Sequence, residues 1–86
     1  MNKAMVVDDE EDICEFLTQI FKEKLGFEVE AALSGEEALE LAGKNEYQIC
    51  VVDLKLSTAV TGLDVIAAIR VKWPKTKVVA MSGYID

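Results

Sequence analysis

The sequence predicts an α/β fold in which helices cover both faces of a parallel β-sheet. Three short apolar runs, at residues 4–7, 49–52 and 78–81, are rich in Val, Ile, Ala and Met and contain no alternating polar residues. Such runs are typical of strands buried on both faces of a parallel sheet. Stretches with helical features separate the runs, and alternating strands and helices indicate βαβ crossovers in a doubly wound sheet.

The first half of the chain contains two predicted strands and two predicted helices. We expect the first strand over Lys3–Val7 and the first helix over about residues 11–24, with acidic residues in its first turn and Gly26 as its stop. Residues 27–33 alternate apolar residues with glutamates, which predicts an edge strand with one wetter face. Ser34 and Glu37 have the spacing of a capping box and open a second helix that ends near residue 43.

The second half repeats this order of strand and helix. We predict a third strand over residues 48–54, a third helix from residue 62 or 63 to residue 73, and a fourth strand over Lys77–Met81. Pro74 ends the third helix because it has no backbone N–H and clashes with the preceding turn.

Composition limits the possible classes of protein. The 86 residues make one small domain, and 51% hydrophobic with 29% charged residues exclude a disordered chain. A net charge of −7 argues against binding to nucleic acid. No apolar stretch approaches the roughly 20 residues of a membrane helix, and the start lacks the features of a signal peptide, so we expect a cytoplasmic protein without membrane contact.

The cysteines and the missing histidines indicate what kind of site is possible. Cys14 lies in a predicted helix and Cys50 in a predicted core strand, where reduced, buried thiols are favoured over a disulfide. Since the chain contains no His, a metal site would have to use oxygen ligands, which favours Mg²⁺.

Residues suited to phosphoryl transfer follow the three apolar runs. Asp8 and Asp9 follow the first run, Asp53 follows the second, and Ser82 and Gly83 follow the third. The carboxyl ends of parallel strands share one edge of a sheet, where ligand sites collect. We therefore expect a pocket with three carboxylates and a hydroxyl, suited to a hard divalent cation and a phosphoryl group.

Simpler explanations exist for each of these residues. Asp8 and Asp9 could belong to a favourable acidic first turn of the first helix. Asp53 could be a loop cap, and Ser82-Gly83 alone would be common turn chemistry.

Taken together, the motifs V-V-D-D-E, V-V-D-L-K-L and M-S-G-Y resemble the response-regulator receiver domain of two-component signalling, which has a flavodoxin-like doubly wound fold. The resemblance implies that Asp53 accepts a phosphoryl group from a histidine kinase or phosphotransfer protein. It also implies that Asp9 binds Mg²⁺ directly, that Asp8 acts mainly through water, and that the backbone carbonyl of Lys55 is a further ligand. Such a domain is a signalling module and not a turnover enzyme.

The resemblance assigns the remaining candidates as well. Ser82 matches the hydroxyl that hydrogen-bonds the phosphoryl oxygens, and Gly83 matches the small residue beside that group. In the first helix the apolar positions cover more than one core-facing stripe. We expect Leu17 and Phe21 in the core, and Ile13 and Phe16 at an exposed margin where the phosphodonor docks. The alternative is that all apolar residues of this helix are buried.

The sequence also departs from the family pattern. Ser57 replaces the usual proline, and Gly62 comes about one residue later than is typical. We expect residues 1–86 to form an incomplete receiver domain with four strands, lacking the fifth strand with its lysine and the last two helices. The fourth strand would then be an edge through which two chains could form a homodimer.

Two other functions stay open from the sequence. A pseudo-receiver would keep the fold and bind partners without phosphorylation. A phosphatase with an aspartyl nucleophile is less favoured, because Leu54 and Lys55 follow Asp53 in place of a D-x-D motif.

Overall fold

The computed structural model of the chain describes residues 2–81, which form one parallel sheet flanked by helices. The strands are β1 (Lys3–Val7), β2 (Glu28–Ala32), β3 (Ile49–Asp53) and β4 (Lys77–Met81), and the helices are α1 (Glu11–Leu25), α2 (Gly35–Lys44) and α3 (Gly62–Lys72). Within these residues no helix is both long and apolar enough to cross a membrane.

The sheet has the strand order β2-β1-β3-β4, and every pair is parallel. The chain first adds β2 on one side of β1 and then crosses to add β3 on the other. The carboxyl ends of β1 and β3 are therefore neighbours at the point where the strand order reverses, which is where open α/β sheets bind ligands. The predicted fold class is confirmed.

The two faces of the sheet carry separate cores. One face packs against α1, and its buried residues are Ala4, Val6, Cys14, Phe21 and Val51. The other face packs against α2 and α3, and its buried residues include Met5, Val7, Cys50, Val52, Val65 and Ile69. Alternate residues of β1 and β3 point into opposite cores, which is why their sequences are apolar throughout.

Capping residues close to each helix in the sequence define where the helices begin or end. Gly26 adopts a left-handed backbone (φ 70°) after α1, where a residue without Cβ is least strained. Ser34 accepts the N–H of Glu37 at 3.0 Å, while the Glu37 carboxylate accepts the N–H of Leu33 at 2.8 Å, one residue before the expected partner. At α3, Thr61 and Asp64 form a full capping box that the sequence analysis did not identify.

The expectation that residues 78–81 are buried on both faces is wrong. β4 is at an edge of the described sheet, Val79 is 45% exposed, and Val78 and Met81 are only partly buried. The physical reason is that α1 packs mainly against β1 and β2, and β3 separates β4 from these strands. β2 and β4 both lie at edges of the described sheet, as predicted.

Candidate functional site

Three carboxylates meet where β1 and β3 end. Asp8 and Asp9 follow β1 directly, and Asp53 is the last residue of β3. One carboxylate oxygen from each of the three lies within 4.8 Å of the other two. Asp8 and Asp53 are only 4% and 6% exposed, whereas Asp9 is half-buried. The sequence analysis expected these three carboxylates to share a pocket, and they do.

An open pocket of about 650 Å³ surrounds this cluster. It is lined by Asp8, Asp9, Glu10, Ile13, Asp53, Lys55 and Met81. The pocket is therefore strongly acidic, with one basic side chain among the described lining residues and an apolar margin toward α1.

The carboxylate of Asp8 is buried beside two other acids. Its Oδ1 accepts the backbone N–H of Glu10 at 2.8 Å. Burial raises the pKa of Asp8, the Glu10 N–H acts against this rise, and the charges of Asp53 and Asp9 raise it further. A divalent cation in the pocket would relieve both the desolvation and the repulsion between the carboxylates.

Asp9 is held by a residue from another loop. Its Oδ2 accepts the hydroxyl of Ser57 at 2.6 Å and the backbone N–H of Ser57 at 3.1 Å. These two hydrogen bonds, the hydroxyl first, lower the pKa of Asp9. In the sequence Ser57 is visible only as a departure from the usual proline, because nothing local relates it to a residue 48 positions earlier.

The main chain around Asp53 fixes the direction of its side chain. Asp53 Oδ1 accepts the backbone N–H of Lys55 at 2.9 Å, and the N–H of Leu54 donates to the carbonyl of Met81 at 2.9 Å. Gly62 packs against this turn so closely that a Cβ there would lie 2.2 Å from the Asp53 carbonyl oxygen and 2.8 Å from Leu54 Cα. Only glycine allows α3 to begin at this place.

The other predicted site residues have different outcomes. Lys55 lines the pocket, and the role of its carbonyl as a metal ligand stays a prediction. Ser82 and Gly83 lie outside the described residues. Ile13 and Phe16 are 37% and 61% exposed, so the alternative that all apolar residues of α1 are buried is wrong.

The remaining apolar residues of α1 and the thiols are mostly placed as expected. Phe21 is buried, whereas Leu17, expected in the core, is only partly buried. Cys14 and Cys50 are both free and buried, as predicted. Burial raises the pKa of Cys14 to about 11 and that of Cys50 to about 12, so both are protonated at neutral pH.

Comparison with known proteins decides the family. The model of the response regulator receiver domain family matches residues 4–86. The chain belongs to this family. The receiver domain is 33% identical over 82 residues to the response regulator protein PilR of Pseudomonas aeruginosa, covering 95% of this chain and 18% of PilR. The chain thus spans less than a fifth of that relative.

Solved structures of receiver proteins have the same fold. A response regulator of Burkholderia pseudomallei, solved with a phosphorylated aspartic acid, a calcium ion and citrate, has a TM-score of 0.88 at 30% identity, covering 100% of this chain and 49% of that one. TrrA of Thermotoga maritima with Mg²⁺-BeF has a TM-score of 0.87 at 33% identity, covering 98% and 71%. TrrA in complex with the histidine kinase ThkA has a TM-score of 0.85 at 32% identity, covering 100% and 72%.

Proposed function

We propose that this receiver domain accepts a phosphoryl group on Asp53 from a histidine kinase or phosphotransfer protein. The observation that carries the proposal is the meeting of Asp8, Asp9 and Asp53 within 4.8 Å at the carboxyl ends of β1 and β3. The similar structures, which contain a phosphorylated aspartic acid, Mg²⁺-BeF or a bound histidine kinase, support it.

The carboxylate of Asp53 is the nucleophile in this proposal. The Lys55 N–H donates to Oδ1 of Asp53, and we assign Oδ2 as the oxygen that attacks phosphorus. As the new O–P bond forms, the P–N bond of the donor phosphohistidine breaks and its electron pair returns to the imidazole nitrogen. The product is an acyl phosphate on Asp53.

The residues present fit a magnesium ion. Asp8, Asp9 and Asp53, with the backbone carbonyl of Lys55, would supply hard oxygen ligands, and the chain contains no His. Mg²⁺ bound there would neutralise charge on the phosphoryl oxygens during transfer. Burial and mutual repulsion of the acids give a physical reason for the site to take up a cation.

By the resemblance, the remaining roles belong to residues outside the described range. Ser82 would donate its hydroxyl to the phosphoryl oxygens, and Gly83 would leave room for that group. Residues 1–86 act in this proposal as one receiver domain and as a signalling module, not as a turnover enzyme. Buried reduced thiols at Cys14 and Cys50 support a cytoplasmic location.

The partner surface lies on α1 beside the pocket. Ile13 lines the pocket, and Phe16 is exposed on the same helix. We assign both to docking of the histidine kinase or phosphotransfer protein. The acidic charge of −7 supports a protein partner over nucleic acid.

The test is labelling of the full chain with acetyl phosphate and Mg²⁺, followed by intact mass. We expect the mass to increase by one phosphoryl group. Hydroxylamine should remove this group, because it cleaves acyl phosphates. EDTA should prevent its incorporation, because it removes Mg²⁺. Asp53→Asn should abolish the labelling, whereas Asp12→Asn, which changes an exposed acid of α1, should not.

A wild-type chain that is not labelled by acetyl phosphate or by a histidine kinase would contradict the proposal. If such a chain still bound the kinase, the pseudo-receiver function would account for it. A longer chain that carries the fifth-strand lysine should give a higher yield of phosphorylated Asp53 than these 86 residues, because the lysine adds a positive charge beside the phosphoryl group.

A further inference from the structure

We propose that Ser57 is a positioning residue of the metal site, which holds one oxygen of Asp9 so that the other faces the cation. This inference rests on the proposed function, since it concerns the Mg²⁺ site described above. It adds a residue that the family pattern does not supply, because the usual residue at this position is proline, which has no hydroxyl and no N–H to donate.

The geometry at Asp9 separates its two oxygens. Oδ2 accepts both the hydroxyl of Ser57 at 2.6 Å and the backbone N–H of Ser57 at 3.1 Å. A carboxylate oxygen has two lone-pair positions, so these two donors fill those of Oδ2. We therefore assign Oδ1 as the oxygen of Asp9 that faces a metal ion.

Ser57 can hold Asp9 in place because the residues on both sides of Ser57 are themselves held by hydrogen bonds or by packing. Thr58 Oγ1 accepts the N–H of Gly35 at 3.2 Å and donates to the carbonyl of Val60 at 2.7 Å. Leu56, on the other side of Ser57, is buried in the core shared with α2 and α3. The loop is therefore attached to α2 and to the core, and Asp9 is attached to the loop.

The close packing of α2 against this loop restricts the movement of the loop. A Cβ at Gly35 would lie 2.1 Å from the carbonyl oxygen of Val60, so the two segments are in direct main-chain contact. Ser57 thus connects the half-buried Asp9 to a part of the molecule that cannot easily move. Without this tether, Asp9 would sample other rotamers and lose that freedom again on binding the ion.

The effect on affinity can be estimated from other metal sites. Partners that orient metal ligands typically contribute 10- to 100-fold to affinity. Because Asp9 is half-buried and the pocket is open, we expect the lower end, about 10-fold. The two donors also withdraw charge from Asp9, and this effect alone would make Ser57→Ala bind Mg²⁺ more tightly. The sign of the change therefore distinguishes positioning from charge withdrawal.

The experiment is a titration of the full chain with Mg²⁺. Isothermal titration calorimetry and NMR chemical shifts measure the Mg²⁺ affinity. Ser57→Ala removes the hydroxyl and should weaken Mg²⁺ binding about 10-fold, whereas Ser57→Thr keeps it and should bind nearly as the wild type. Thr18→Ala is the control, because it removes a hydroxyl from α1 at a residue that does not line the pocket. In an Asp9→Ala background, Ser57→Ala should cause no further loss.

Circular dichroism and thermal unfolding establish that each variant is folded. The inference is overturned if Ser57→Ala binds Mg²⁺ as tightly as the wild type or more tightly, or if Thr18→Ala causes an equal loss. In either case the wild-type chain would still bind Mg²⁺ and be phosphorylated on Asp53, so the proposed function would stand. A wild-type chain that binds no Mg²⁺ would overturn both.

Discussion

Gly62 marks the place where the main chain of α3 touches the main chain of the proposed phosphoacceptor. Replacement by Ala would put a Cβ 2.2 Å from the Asp53 carbonyl oxygen, so the start of α3 or the turn after β3 must shift. We expect Gly62→Ala to lower the free energy of unfolding by about 1–3 kcal/mol and to weaken Mg²⁺ binding. Urea unfolding and calorimetry measure the two effects.

Gly43 provides the control for this substitution. It lies inside α2, and a Cβ there meets no atom within 4 Å. Gly43→Ala should therefore be neutral or stabilise the protein by up to about 1 kcal/mol through helix propensity. Equal destabilisation by both substitutions would contradict the importance of the close approach at Gly62.

Asp8 should lower the stability of the protein when no cation is bound. Its pKa is raised in the folded state, mainly by burial, so the ionised form is less favourable in the folded chain than in the unfolded chain. The stability associated with protonated Asp8 is present below the unfolded pKa of 3.8 and is lost as the pH rises through the folded pKa.

Asp8→Asn should therefore raise the Tm by a few degrees at neutral pH without Mg²⁺, because Asn keeps an acceptor for the Glu10 N–H. The gain should shrink as the pH falls below the folded pKa of Asp8, and stabilisation by added Mg²⁺ should decrease. Scanning calorimetry over a pH series measures this. A lower Tm for Asp8→Asn at neutral pH would contradict it.

The thiols of Cys14 and Cys50 should report global unfolding. Both are buried, and their pKa values of about 11 and about 12 leave almost no thiolate at neutral pH. In native buffer we expect both to react with iodoacetamide only as fast as the protein unfolds, and quickly in urea. Fast native labelling of either thiol would show that its surroundings open locally.

At the scale of elements, α1 combines a buried face with an exposed apolar margin. Phe16 is 61% exposed on the same helix as the pocket residue Ile13, which is unusual for a large aromatic side chain unless a partner covers it. We expect Phe16→Ala to slow phosphoryl transfer from a histidine kinase that labels the wild type, while labelling by acetyl phosphate stays unchanged. Quantifying phosphorylated Asp53 with each donor tests this.

Val71 is the matched control for Phe16. It is an exposed apolar residue, 85% accessible, but it lies near the end of α3 opposite the pocket. Val71→Ala should leave transfer from both donors unchanged. If it slowed transfer as much as Phe16→Ala, the docking surface would not be the one on α1.

The elements could be predicted because their signals are local. The bounds of β1 and β4 agree with the predicted ones, and α1 ends one residue later than expected, at Leu25. Each signal depends on neighbours within one or two turns: apolar runs for strands, Gly26 for the end of α1, and Ser34 for the start of α2. The three carboxylates were predictable too, because strand ends converge in any parallel sheet.

The features that could not be predicted from the sequence depend on contacts between residues that are far apart in the chain. Ser57 donates to Asp9, which lies 48 positions earlier in the chain, and Gly62 packs against the main chain of Asp53. The positions of these residues in the sequence do not indicate either contact. The exposure of Val79 depends on where α1 lies relative to β4, which an apolar run does not encode. Only the Thr61–Asp64 capping box had a local signal that was overlooked.

At the scale of the whole molecule, the helices add to the charge of the site. Acidic residues occupy the first turns of α1, α2 and α3, and basic residues occupy their last turns. In a parallel α/β sheet the first turns lie at the carboxyl edge, so these acids lie at the same edge of the sheet as the carboxylate cluster. The edge that carries the site is thus strongly negative, which favours cation uptake.

Binding of Mg²⁺ should therefore stabilise the whole fold. At a Mg²⁺ concentration ten times its Kd, linkage predicts a gain of about 1.4 kcal/mol in the free energy of unfolding. Thermal unfolding with MgCl₂, compared with NaCl of equal ionic strength, measures this gain. It should disappear in Asp9→Ala, and an equal rise with NaCl would mean that general screening, and not a specific site, is responsible.

In the described part of the chain, β4 is an edge strand of the sheet. Within residues 2–81, β4 pairs with β3 on one side only, and Val79 is 45% exposed there. Unpaired backbone groups beside apolar side chains invite pairing with another strand, and each buried Val adds about 1.5–3 kcal/mol. We propose that this 86-residue chain forms a homodimer through the β4 edge, which sedimentation velocity at micromolar concentration should detect. Val79→Lys should return it to a monomer, because a charge on an edge strand opposes pairing, whereas Val71→Lys should not. A wild-type chain that sediments as a monomer at these concentrations would show that the β4 edge does not pair between copies.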